Sequence, residues 1–137
     1  MSVLQARPMS ELRRWALTTL FVLGAIATLW FALIVEWRLG TPGPLPLRGD
    51  HLMHAASFAA LTLLGHLLWA PLPVLSGVMV GAGGLLELVQ GPVGRQTDVT
   101  DWIAGSAGVL VGTIAFVVIA SVLALRTAAQ APDKGRP

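Results

Sequence analysis

Glu87-Leu88-Val89-Gln90-Gly91-Pro92-Val93-Gly94-Arg95-Gln96-Thr97-Asp98-Val99-Thr100-Asp101 decides the fold. Four of the chain's sixteen Asp, Glu, Lys and Arg residues fall in these fifteen positions, between two long apolar runs. Charge beside a stretch able to cross a bilayer is costly and needs either a partner or a function. Gly91-Pro92-Val93-Gly94 cannot continue a helix, because Pro lacks a donor and Gly is a poor helix former. The polar block is therefore a connection between two apolar helices, at one face of a membrane.

Outward from this block the sequence is mostly apolar. The 137 residues are 55% hydrophobic and 12% charged, against about a quarter charged in a soluble domain. This is the composition of an integral membrane protein, and the length allows one compact unit. With no Cys, disulfides, thiolate metal sites and Cys nucleophiles are excluded. The basic residues sit largely at the termini, a pattern that membrane orientation explains and that leaves no nucleic-acid footprint.

The apolar runs predict an all-α integral membrane bundle of four transmembrane helices in two hairpins, at about 15–36, 50–69, 74–90 and 99–125. Each approaches the twenty residues that span roughly 30 Å of hydrocarbon. Residues 1–14 form a polar N-terminal segment, 15–126 the transmembrane domain, and 127–137 a disordered tail. Arg13-Arg14 faintly resembles an export signal, but the following run is too long and no cleavage site follows it. The prolines at 42, 44 and 46 make the first connection extended, and Ala70-Pro71-Leu72-Pro73 makes a tight turn. Arg126 is read as ending the fourth helix. Arg7, Arg13, Arg14, Arg126, Lys134 and Arg136 hold six of nine basic residues at the two ends, which sets N and C termini cytoplasmic by the positive-inside rule. Trp15, Trp37, Trp69 and Trp102 fall near helix ends, as an aromatic belt does.

This orientation brings two distant polar groups to the same outer face. Asp50 and His54, spaced i, i+4, share a helix face and can hydrogen-bond. Asp50 is also a favoured N-cap type, and the two roles are compatible. His51 is read as an interfacial residue pointing elsewhere, and His66 as a structural residue near the inner end. Glu87 lies one turn before the helix break, with Gln90 on roughly the same face. It either fastens helices by pairing with Arg95 or His54, or acts as acid, base or head-group ligand. Arg95 suits a phosphate or carboxylate; snorkelling to the interface is the plainer alternative. Asp98 reads as the N-cap of the fourth helix, with Asp101 in its first turn. Gly105, Gly108 and Gly112 lie within about 40° of Asp101 around the helix. Their bare face admits a close neighbour. Gly77, Gly81, Gly83 and Gly84 give the third helix a matching surface.

No metalloprotease, Walker or nucleophile-elbow motif is present. A metal set of His54, Glu87 and an Asp is geometrically conceivable but has no supporting spacing, so no metal and no cofactor are expected. With no activated nucleophile, binding ranks ahead of catalysis.

These residues resemble the VanZ-like membrane proteins. Asp50-His51-Leu52-Met53-His54 with Phe58 is similar to their D-K-x-x-H…F opening. Glu87-x-x-Gln90, Arg95, Asp101-Trp102 and Gly108-x-x-x-Gly112 are similar to their E-x-x-Q…R…D-x-x-x-N-x-x-G block. The resemblance covers about 45–115. His51 stands where Lys is usual, and Gly105 where the family has Asn. The resemblance implies a multi-pass protein of the bacterial inner membrane, associated with teicoplanin-type glycopeptide resistance. It marks Asp50, His54, Glu87, Gln90, Arg95 and Asp101 as the matching polar positions. The expected partners are membrane lipids, a lipid-linked or lipoglycopeptide ligand held by Arg95, Gln90 and Asp101, and a protein partner or second copy. His54, Glu87 and Asp50 are the candidates for any proton transfer. The alternative is an accessory or scaffold subunit of a larger membrane complex.

Overall fold

The computed structural model describes residues 10–34, 49–69, 71–94 and 97–130. Arg95, the proline-rich first connection with Trp37, the first nine residues and the tail from 131 lie outside the described residues. Four helices follow in order: α1 (Glu11–Leu33), α2 (Gly49–Leu68), α3 (Leu72–Gln90) and α4 (Val99–Ala129), and no strand occurs among the described residues. All four are long and apolar enough to cross a membrane.

α1 ends at Leu33, three residues before the expected bound, and α2 is shifted by one residue at each end; three other boundaries differ, each for a local reason. α1 begins four residues early because Ser10 caps it, its hydroxyl accepting from the Arg13 amide at 3.4 Å, with Glu11 in the first turn. A carboxylate there suits the helix dipole, so Arg13 and Arg14 lie inside the helix rather than before it. α3 absorbs Leu72 and Pro73, since Pro is tolerated in a first turn whose amides have no intrahelical acceptor. α4 does not stop at Arg126 but continues to Ala129. Thr127, Ala128 and Ala129 contain no breaker, and a basic residue near a C-terminus is favourable rather than terminating. At 31 residues α4 is about 46 Å long, well beyond the roughly 30 Å of hydrocarbon.

The exterior is apolar. Leu20, Leu23, Ile26, Leu110, Ile114 and Leu123 are all exposed, while among the described residues the buried apolar core is limited to Ala32, Phe58, Leu61, Met79, Leu86 and Val109. That distribution fits a helical protein whose solvent is lipid, where helices satisfy their interior backbone groups within themselves.

The most extensive packing is between α2 and α4. The glycine face of α4 makes it possible: Gly108 lies on the Ala55 carbonyl and Gly112 on that of Ala59. The glycines of α3 do not meet this face. Gly77 and Gly81 have nothing near them, whereas Gly83 and Gly84 accommodate the Trp102 ring. The Trp102 indole donates to the Val80 carbonyl at 3.0 Å. Phe58 of α2 wedges between Gly83 of α3 and Gly105 of α4, so all three helices meet around one ring. α1 is peripheral. It touches α2 through Gly24 against Leu61 and through an edge-on Phe21–Trp69 pair, 5.1 Å between centroids.

Candidate functional site

One turn above Phe58, the N-terminal end of α2, the C-terminal end of α3 and the first turn of α4 converge. α3 contributes Glu87, 7% exposed. Its Oε2 accepts the backbone N–H of Asp98 at 3.0 Å, which fixes the carboxylate against the start of α4. Asp98 caps that helix as expected: its Oδ1 accepts the Thr100 amide at 2.9 Å and the Thr100 hydroxyl at 2.6 Å. The cap sets the rotation of α4, and the rotation turns Asp101 inward, to 8% exposure.

Asp101 is the centre of the cluster. Its Oδ2 lies 3.7 Å from His54 Nε2 and its Oδ1 3.5 Å from His51 Nε2. Both gaps exceed an ordinary hydrogen bond, and Oδ1 is buried with no hydrogen-bond partner. The Thr100 hydroxyl gives its only proton to Asp98. It must therefore accept at 2.9 Å from His51 Nε2, and the His51 proton sits on Nε2. Asp50 lies within the first turn of α2 rather than at its cap position, and its Oδ1 accepts the His51 amide at 3.0 Å.

The expected pairing of Asp50 with His54 gives way to one across helices, His54 with Asp101. His51, read as facing elsewhere, belongs to the cluster. The signal was present: His51 and His54 are i, i+3, the other spacing that shares a helix face. Thr100 carried no signal, because its role follows from the cap beside it. Gln90 is turned another way. It is 2% exposed, and its amide donates at 3.0 Å to the carbonyl of Ala32, in the last turn of α1. This contact brings the end of α1 to the same end of the bundle as the cluster. Arg95, expected to hold an anionic group, lies outside the described residues. The described basic side chains, Arg13, Arg14 and Arg126, belong to the opposite helix ends.

His66 stands apart, twelve residues along α2 from His54, or roughly 18 Å. It is buried, and its Nε2 lies 3.2 Å from the Thr113 hydroxyl and 3.4 Å from that of Ser76, the two hydroxyls being 3.0 Å apart. His66 Nδ1 and the Thr62 hydroxyl are buried without hydrogen-bond partners. α2, α3 and α4 are thus joined at a second polar level within the bundle.

No protein-family model matches this chain, and no match was found among curated proteins or solved structures.

Proposed function

We propose that this is a VanZ-like multi-pass protein of the bacterial inner membrane. Its polar cluster binds the head of an amphipathic, lipid-linked molecule at the outer face. The observation that carries the reading is Asp101, a buried carboxylate between two imidazoles, with one oxygen lacking any hydrogen bond. A group so placed costs free energy unless something completes it. The positive-inside rule supports the outward orientation, since six of nine basic residues fall at the two ends of the sequence and the described ones, Arg13, Arg14 and Arg126, lie at the helix ends opposite the cluster. In this scheme Arg95 holds an anionic head group, His54 and Glu87 share a proton, and Asp101 completes the hydrogen bonds. A link to glycopeptide resistance of the teicoplanin type follows from the same resemblance. Binding without a reaction is the simpler form of the proposal, as no nucleophile is positioned among the described residues.

A specific observation favours a second reading, the accessory or scaffold subunit. Glu87 on the Asp98 amide and Gln90 on the Ala32 carbonyl are fastenings between elements, as a purely structural cluster requires. Native mass spectrometry of protein extracted in mild detergent separates the two. The binding reading predicts a co-purifying lipid or lipid-linked species that is lost in Arg95→Ala. A protein partner retained in both forms, with no lipid adduct, selects the subunit reading.

A further inference from the structure

The three side chains that meet above Phe58 have a composition that head-group binding does not require. His54, Glu87 and Asp101 come from three different helices, yet one ligand-type atom of each lies within 4.8 Å of the others. Ligands around a tetrahedral ion at about 2.0–2.1 Å stand roughly 3.3 Å apart. The His54–Asp101 separation of 3.7 Å is close to that value and too long for a good hydrogen bond. A second, independent observation is the state of Asp101: 8% exposed, with a buried oxygen that no donor reaches.

We propose that His54, Glu87 and Asp101 bind a single divalent first-row metal ion, of the kind that prefers nitrogen and oxygen ligands, such as Zn2+ or Mn2+. One imidazole and two carboxylates form a borderline-to-hard donor set, and a chain without Cys offers no thiolate to draw a softer ion. Charge argues the same way. Two carboxylates buried at the end of an apolar bundle need positive charge, and one divalent ion neutralises both. Closing the set asks only for side-chain movements of about an ångström. The backbone is already arranged, because the Asp98 amide holds Glu87 Oε2 and leaves Oε1 to turn toward the ion. Such outer contacts orient ligands in established metal sites.

His51 has a different part. Its Nε2 proton is directed to Thr100 and lies 3.5 Å from Asp101 Oδ1. When the ion takes an Asp101 oxygen beside His54, the His51 ring, held by Thr100, stays beside Oδ1 and shares its Nε2 proton between the hydroxyl and the carboxylate. Three protein ligands leave a fourth position for water or an outside oxygen donor, the arrangement of an open rather than a closed site. A bound ion takes the place of the proton that His54 and Glu87 share in the metal-free site, and the inference stands whether or not an amphiphile binds, because it is tested with the metal alone.

The test is Zn2+ titration of the tag-free, chelator-stripped full chain in detergent, against a chromophoric competitor. One equivalent should bind to the wild type and raise its melting temperature. Glu87→Gln and His54→Ala should each weaken binding tenfold or more and abolish the Zn2+-dependent rise. X-ray absorption of the zinc-loaded wild type needs no variant, and should show one imidazole among oxygen donors. A wild type that takes up no stoichiometric zinc, variants that bind as the wild type does, or a spectrum without imidazole would each overturn the proposal.

Discussion

Gly108→Ala is the sharpest probe of how the cluster is held together. A Cβ at this position falls on the Ala55 carbonyl, 2.8 Å from its carbon and 2.9 Å from Ala55 Cα. Carbon atoms rest about 3.5–4.0 Å apart, so α2 and α4 must separate by roughly an ångström. The obstacle is backbone, so no rotamer change relieves it. Overpacking of this kind costs about 1–3 kcal/mol, and the better helix propensity of Ala returns up to about 1 kcal/mol. The expected net loss is about 1–2 kcal/mol, measured by reversible denaturation in mixed micelles. Gly112→Ala meets the Ala59 carbonyl and the Thr62 Cβ and should cost a similar amount. The double variant should cost less than the sum, because one separation of the helices relieves both contacts. Gly81→Ala, with nothing near its position, serves as the control and should be neutral or stabilising by up to about 1 kcal/mol. Gly108→Ala falling in that same range would refute the close α2–α4 packing.

Three further expectations test individual contacts in the same assay. Gln90→Leu removes a donor from the buried Ala32 carbonyl and should cost about 0.5–1.5 kcal/mol; no loss would mean that α1 is held otherwise. Asp98→Ala removes the cap of α4 and should cost about 0.5–2 kcal/mol, and it should also release the Thr100 hydroxyl from its fixed orientation; unchanged stability would remove the cap from the account. Thr62→Val replaces a buried hydroxyl without a partner by an apolar group of similar shape and should be neutral or stabilising. A marked loss would show that the hydroxyl has a partner within the bundle.

The four helices were legible because apolar length is a strong signal, and because Gly91-Pro92-Val93-Gly94 and Ala70-Pro71 interrupt it unambiguously. Boundaries were less so. Ser10 as a cap competes with a reading in which Arg13 and Arg14 precede the helix, and the contact that decides, Ser10 on the Arg13 amide, is local geometry rather than composition. The glycine face of α4 was visible, but its partner was not. α3 offered the more obviously smooth surface, whereas the α2 positions that receive Gly108 and Gly112 are Ala55 and Ala59, two of several small residues in that helix. Choosing α2 over α3 also decided the cluster, by placing Asp101 against His54 and His51 instead of leaving His54 to Asp50. Pair choices across helices follow from rotation and tilt, which no single helix encodes.

The central claim is a membrane bundle whose polar cluster lies at its outer end. Because the chain has no Cys, it is tested directly with two single substitutions. Val93→Cys lies in the exposed turn beside the cluster, and Gln130→Cys at the far end of α4. A membrane-impermeant maleimide applied to intact spheroplasts should label Val93→Cys at once and Gln130→Cys only after permeabilisation. Labelling in the reverse order, or of both sites equally from outside, would contradict the account.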